Sequence, residues 1–310
     1  MSRPAPEVQA VIELATANFP PLGTEMTDIA EVRAFFAARP RPAVDPLPVA
    51  HVTDTDADGV PVRVYDPAAV QDAPVVLFLH GGGFTLCDLD SHDGFCRAMA
   101  DATGAVVVSV DYRRAPEHPF PAAPEDAYTA LLWAAKTYSG RRIAVAGDSA
   151  GANLATVLTL LARDRGGPEI AFQALYYPML DPTRSGASHR ENAQGYFLTA
   201  DHVRWYWRQY LNSEQDAADP YAAPLRRTDL GGLPPAHVVT AGLDPLRDDG
   251  EAYAAALTAA GVRVLVRRYE GMFHGFLTMA SALPEAAAAC ESAFTVLRAA
   301  LHADVPGAVS

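Results

Sequence analysis

Residues 142–154, Arg-Ile-Ala-Val-Ala-Gly-Asp-Ser-Ala-Gly-Ala-Asn-Leu, constrain the fold more than any other stretch of the chain. Ile143, Ala144, Val145 and Ala146 form a short, unbroken apolar run, the pattern of a strand buried on both faces. After Gly147-Asp148-Ser149-Ala150-Gly151, the residues Asn153, Leu154, Val157, Leu158 and Leu161 recur at helical spacing. Strand, glycine-bracketed serine, helix is the context of a nucleophile elbow, in which a sharp turn lifts the hydroxyl above a helix N-terminus. The competing interpretation of the stretch alone is a Gly-Ser-rich loop between a strand and a helix.

The rest of the chain repeats the alternation. Val49–Thr53 and Val60–Tyr65 are predicted strands around an Asp58-Gly59 hairpin turn, and Pro74–His80 is a solidly apolar one. Strands at 105–110, 171–177, 236–241 and 262–268 alternate with helices at 92–103, 124–138, 150–163, 246–260 and 285–301. This order calls for a mostly parallel sheet with helices on both faces, an α/β fold. Two regions stand outside the alternation. Residues 1–45 carry two amphipathic helices, one over 7–18 and one from Thr27 closed by Pro40 and Pro42. Residues 181–225 are polar and loop-rich, with one aromatic helix capped by Thr199. The expected organisation is one discontinuous domain, with core segments at 46–180 and 226–310. The tail from His302 is expected to fray.

Composition narrows the class. The 310 residues are half hydrophobic, enough for a sizeable core, and carry a formal charge of −13, which argues against nucleic acid or an anionic membrane as partner. No 18-residue apolar run occurs, and the N-terminal segment lacks a continuous apolar stretch. Cys87, Cys96 and Cys290 show no metal-ligand spacing and are expected to be reduced. The expectation is a soluble cytoplasmic protein.

A serine hydroxyl needs a base within hydrogen-bond reach, and the base needs an acid to fix its tautomer. Among nine histidines, His274 stands out in a glycine-flanked turn after the last predicted strand. Asp244 lies just past the end of another strand; a helix N-cap is its structural alternative, and Asp248 and Asp249 compete with it. Ser149, Asp244 and His274 each follow a strand's carboxyl end, and in a parallel sheet those ends share one edge. His80-Gly81-Gly82-Gly83-Phe84 also follows a buried strand. Its bare amides, with that of Ala150, can meet an oxyanion as it forms. A phosphate loop is disfavoured, because the Gly-Lys-Ser/Thr ending and the GxGxxG spacing are absent.

Five motifs, His80–Phe84, Asp111–Ala123, Gly147–Asn153, Asp244–Asp248 and the His274 turn, occur in an order that resembles the hormone-sensitive-lipase-like carboxylesterases. The resemblance runs from Val75 to the final helix, and Gly-Asp-Ser-Ala-Gly is similar to the bacterial subgroup. It implies an α/β-hydrolase fold with Ser149 as nucleophile, His274 as general base and acid, and Asp244 as its orienting carboxylate. Gly82, Gly83 and Ala150 would supply the oxyanion hole, with His80 and Gly81 shaping the loop. Residues 1–45 and 181–225 would form a helical cap, with Phe84, Tyr196, Phe197, Trp205 and Trp207 as expected pocket residues.

Glu117 and His118 fall in a stretch that is mainly architectural in the family, and Asp148 is expected to support the active-site loops. Arg114 stands where the family commonly has Leu. The resemblance implies a small-molecule ester of short to medium chain, no cofactor and no metal, and it leaves a homodimer open. An amide, carbamate or lactone hydrolase with the same residues is the runner-up. A non-catalytic small-molecule receptor on this fold is disfavoured, because such relatives typically lose the histidine.

Overall fold

The computed structural model describes residues 4–38, 47–68 and 71–303. Pro40, Pro42, the end of the 1–45 segment and the tail beyond Ala303 lie outside the described residues. Helices α1 (Pro6–Ala17) and α2 (Ile29–Ala37) come first. The start of α2 is set by Asp28 rather than Thr27, because the Asp28 carboxylate accepts the Ala30 and Glu31 amides that open a helix without partners. Strands β1 (His51–Ala57) and β2 (Val60–Asp66) form the expected hairpin. Asp58 and Gly59, at φ 54° and 98°, supply the two positive values that such a two-residue turn requires.

The core follows as β3 (Val75–Leu79), α3 (Asp93–Thr103), β4 (Val106–Val110), α4 (Ala122–Thr137), β5 (Ile143–Asp148), α5 (Ala150–Asp164) and β6 (Phe172–Tyr176). An insertion carries α6 (Ser188–Glu191), α7 (Ala200–Tyr210) and α8 (Glu214–Ala218). The chain then returns through β7 (Ala236–Leu243), α9 (Arg247–Ala259), β8 (Val264–Phe273) and α10 (Pro284–His302). The eight strands lie in the order β1-β2-β4-β3-β5-β6-β7-β8. The pairings β1/β2 and β2/β4 are antiparallel, and all the others are parallel.

Every residue of β3 to β7 is buried, which explains why these strands read as continuous apolar runs. Their pleat divides the interior in two. Val75, Leu77 and Leu79 face a core shared with α4, α5 and α9, while Val76 and Phe78 face one shared with α1, α3 and α10. Strand β8 differs: it is an edge strand, with Leu265 and Val266 about half exposed. It also extends to Phe273, past the expected end at Arg268, because an edge strand tolerates Arg267, Arg268 and Glu270 on its surface.

Register brings the strand ends together. Leu79 pairs with Gly147, so the glycine loop and Ser149 leave neighbouring strands at nearly the same height. Leu243 pairs with Phe273, and the next residue on each strand is Asp244 or His274.

Candidate active site

Ser149 occupies the turn between β5 and α5 at φ 55°, ψ −119°, a conformation costly for a residue with a Cβ. It is held from two sides. Its N–H donates to the Tyr176 carbonyl at 2.9 Å, and its carbonyl accepts from Ala152, Asn153 and Met179. The tight entry to α5 needs glycine at 151, where a Cβ would lie 2.0 Å from the Leu79 carbonyl oxygen.

The His274 Nε2 lies 2.9 Å from Ser149 Oγ, and its Nδ1 lies 2.7 Å from Asp244 Oδ2. All three side chains are buried. A carboxylate only accepts, so the proton of the neutral imidazole sits on Nδ1 and leaves Nε2 free to accept the serine hydroxyl. The second oxygen of Asp244 accepts the Leu246 N–H at 2.8 Å. The carboxylate thus acts at the start of α9 and on His274 at once. The competitors are engaged elsewhere: Asp248 accepts from the Ser188 amide and from Arg247, while Asp249 meets His189 and the Leu180 and Asp181 amides.

The glycine loop is fixed by a buried polar relay. The Gly81 N–H donates to Asp148 Oδ1 at 2.8 Å, and His92 Nε2 lies 3.2 Å from the same oxygen. Burial works to raise the Asp148 carboxyl, but His92 and the Gly81 amide outweigh it and hold it below its ordinary value. Burial, with His92 beside it, pushes His80 down to about 3. Its neutral ring therefore donates from Nδ1 to the Gly81 carbonyl at 2.8 Å and stacks on Tyr112, whose hydroxyl donates to the His80 carbonyl. Gly83 sits at φ 60°, and a Cβ there would lie 2.0 Å from the Tyr206 ring. Only glycine allows α7 to come so close.

The N-terminal helices are tied to the same region. Arg33 of α2 pairs with Glu117 and donates to the Thr85 and Ala115 carbonyls. Arg114 donates to the Cys87 carbonyl, so this departure from the family pattern braces a loop at the cavity wall.

A cavity of about 150 Å³ lies over Ser149, bounded by Gly82, Gly83, Phe197, Val203, Tyr206 and His274. Of the five expected pocket residues, Phe197 lines it; Phe84, Tyr196, Trp205 and Trp207 do not. Phe84, at φ 63°, turns beneath the site and stacks on Tyr210 at 3.7 Å, with Trp207 alongside. Trp205 donates from its ring nitrogen to the Thr27 carbonyl, on the side of α7 turned to the N-terminal segment. Tyr196 packs against the core cluster on the α3 and α10 side of the sheet.

Sequence reasoning missed Phe19, His202, Val203 and Tyr206. The last three share one arc of α7, but nothing local says which arc faces the serine. Thr199 and His202 close a capping box at the start of α7, and burial pushes His202 down to about 4, keeping its Nδ1 an acceptor. A second chamber of about 350 Å³ shares Phe19, Phe197 and His202 with the first. A further cavity of about 1200 Å³, between β1, α3 and α10, shares Thr278 with the serine chamber.

A buried strand–elbow–helix serine, a histidine bridging it to a strand-end carboxylate, and a glycine loop beside them define a hydrolase site on a doubly covered α/β sheet. Sequence comparison agrees: the profile of a family described by its alpha/beta hydrolase fold matches residues 76–278. The chain is 43% identical to carboxylic ester hydrolase LipN of Mycobacterium tuberculosis, across 88% of this chain and 75% of the relative. It is 41% identical to carboxylesterase NlhH of the same organism, across 96% and 98%. Among solved structures, a hyperthermophilic esterase from the archaeon Pyrobaculum calidifontis superposes with a TM-score of 0.87 at 40% identity, covering 96% of this chain and 99% of that one. The chain belongs to the α/β-hydrolase family, in its hormone-sensitive-lipase-like branch.

Proposed function

We propose that this protein is a serine carboxylesterase that hydrolyses short- to medium-chain esters through an acyl-enzyme on Ser149. One observation carries the proposal: His274 spans from Ser149 Oγ to Asp244 with both bonds under 3 Å, beside a glycine loop free of side chains. As Ser149 attacks the ester carbonyl, Nε2 of His274 takes its proton, and Asp244 stabilises the resulting imidazolium. The carbonyl oxygen gains negative charge toward the amides of Gly82, Gly83 and Ala150, which donate to no other described residue. These amides and the N-terminus of α5 are fixed before the reaction, so they need not reorganise during it. The imidazolium protonates the departing alcohol. Water, activated by the same ring, then releases the acid and restores the serine.

The chamber of about 150 Å³ suits a short acyl or alkoxy group, and the larger chamber behind Phe19 and Phe197 can take a longer one. In this proposal residues 1–45 and 181–225 act as the cap, since α7 walls the chamber and Phe19 packs edge-on against Phe197 at 5.1 Å. The purified protein should hydrolyse p-nitrophenyl butyrate, and Ser149→Ala should abolish turnover without unfolding the chain. Retained turnover in that variant would remove Ser149 from the mechanism.

The partner is a small-molecule ester; among the described residues no helix is long and apolar enough to cross a membrane. Cytoplasmic location belongs to the proposal and is supported by three unbridged cysteines. Homodimerisation belongs to it too, supported by the exposed apolar residues Leu265 and Val266 on edge strand β8. Light scattering on the protein and on Leu265→Lys tests that assembly.

A further inference from the structure

The pairing of β7 with β8 is irregular just ahead of Asp244. Ala241 pairs with Tyr269 and Leu243 with Phe273, so a step of two residues on β7 is matched by four on β8 and the register shifts opposite Gly242. A bulge of this kind leaves residues of β8 outside the ladder and bends the pair. The carbonyls beside it accept from the inserted segment as well as from Arg247, whose N–H donates to Asp244 O at 3.2 Å and whose guanidinium lies 3.5 Å from Gly242 O. The side-chain nitrogen of Asn192 donates to Gly242 O at 3.1 Å and to Asp244 O at 3.0 Å. Asn192 is fully buried and stands at the end of α6. The same helix grips the following turn: Ser188 Oγ donates to the Pro245 carbonyl, and the Asp248 N–H donates back to Ser188 Oγ. His189 Nε2 lies 2.9 Å from Asp249 Oδ1.

We propose that Asn192 is a positioning residue for the reaction: by bridging the backbone on both sides of Leu243 it aims the Asp244 carboxylate at His274. The proposal rests on the acyl-enzyme mechanism above. Asparagine suits this place because one nitrogen presents two divergent N–H donors, which can reach two carbonyls facing the same way. Aspartate has the same shape and no donor when ionised; serine has one. The role also links the two jobs of the insertion, since α7 walls the substrate chamber while α6 holds the loop that bears the acid.

The test compares Asn192→Ala, Asn192→Asp and Asn192→Ser with Arg190→Gln, a control at an exposed position of the same short helix. Loss of both bonds should lower kcat for p-nitrophenyl butyrate about 10- to 100-fold in the Ala and Asp variants. KM should stay within about twofold, because the substrate chamber is untouched. Asn192→Ser should fall between these variants and the parent. Phosphorylation of Ser149 by diethyl p-nitrophenyl phosphate should slow in parallel. The acid limb of kcat/KM should move to lower pH, as expected when the carboxylate supports the protonated imidazole less well. Arg190→Gln should behave as the parent.

Should the Ala variant fail to fold, the same-shaped Asp variant carries the comparison. A folded Asn192→Asp with kcat within about threefold of the parent, or with an effect confined to KM, overturns the positioning role. Failure of the mechanism itself would look different, since Ser149→Ala would then keep its turnover.

Discussion

Replacing Asp244 by asparagine tests the electrostatics of the site while keeping its shape. Asp244 Oδ2 meets His274 Nδ1 at 2.7 Å and Oδ1 meets the Leu246 N–H at 2.8 Å, so both oxygens accept. An asparagine can accept at only one of these places. With its nitrogen toward His274 it donates to Nδ1, which places the ring proton on Nε2 and blocks removal of the Ser149 proton. With its oxygen toward His274 the amide nitrogen faces the Leu246 N–H, donor against donor. Reaching the productive tautomer then costs about 1–3 kcal/mol for the broken buried bond, and the imidazolium also loses its counter-charge.

The two effects together predict a fall in kcat of roughly 10³- to 10⁴-fold, about 4–5.5 kcal/mol of transition-state stabilisation. Initial rates on p-nitrophenyl butyrate near neutral pH measure it, with circular dichroism as the check on folding. Asp248→Asn is the companion variant; its carboxylate serves Ser188 and Arg247, and it should lose less than about fivefold. If folded Asp244→Asn keeps more than about a tenth of the parent activity, the tautomer argument is wrong.

Two further outcomes follow from the same geometry. Gly83→Ala would drive a Cβ into the Tyr206 ring, 2.0 Å away, displacing the loop and lowering kcat by about 100-fold or more; adding Tyr206→Ala should restore part of it, and an unchanged kcat in the single variant would refute the role of the loop. His80, His202 and His237 are buried, with burial pushing them to about 3, 4 and 4. Each sits below an unfolded value of about 6.5, so the unfolded chain takes up protons first, and stability is lost as pH falls from about 6.5 toward 4. At pH 5 the loss is of order 2 kcal/mol per histidine, offset in part by Asp111 and Asp249, whose carboxyls burial pushes up. Urea midpoints at pH 7 and pH 5 check this, and His237→Gln should flatten the dependence; a midpoint that rises on acidification would contradict it.

The succession of strands along the chain and the place of each chemical motif after them were legible because the central strands are buried on both faces and therefore read as unbroken apolar runs. Ser149, Asp244, His274 and the glycine loop each follow such a run, and the parallel crossovers carry their ends to one edge. The end of β8 was hidden for the opposite reason, since Arg267, Arg268 and Glu270 sit on an exposed edge and break the apolar pattern. The chamber was the least legible part. Trp205, Tyr206 and Trp207 are consecutive on α7, yet they face Thr27, the serine chamber and Phe84 respectively. Residue type cannot distinguish these directions, because an aromatic ring serves all three. Phe19 enters the chamber wall from far away in the chain, where no local pattern marks it.

The contact of Tyr206 with Gly83 has a consequence for the dielectric of the site. The ring covers the Cα of Gly83, which is buried, so α7 shields that side of the loop from water. In a dry setting fixed dipoles act far more strongly than in water. An ester bulky enough to lever α7 outward would admit solvent to the loop just when its field is needed. Large substrates are therefore penalised twice, once in fit and again in the strength of the field that their own entry weakens.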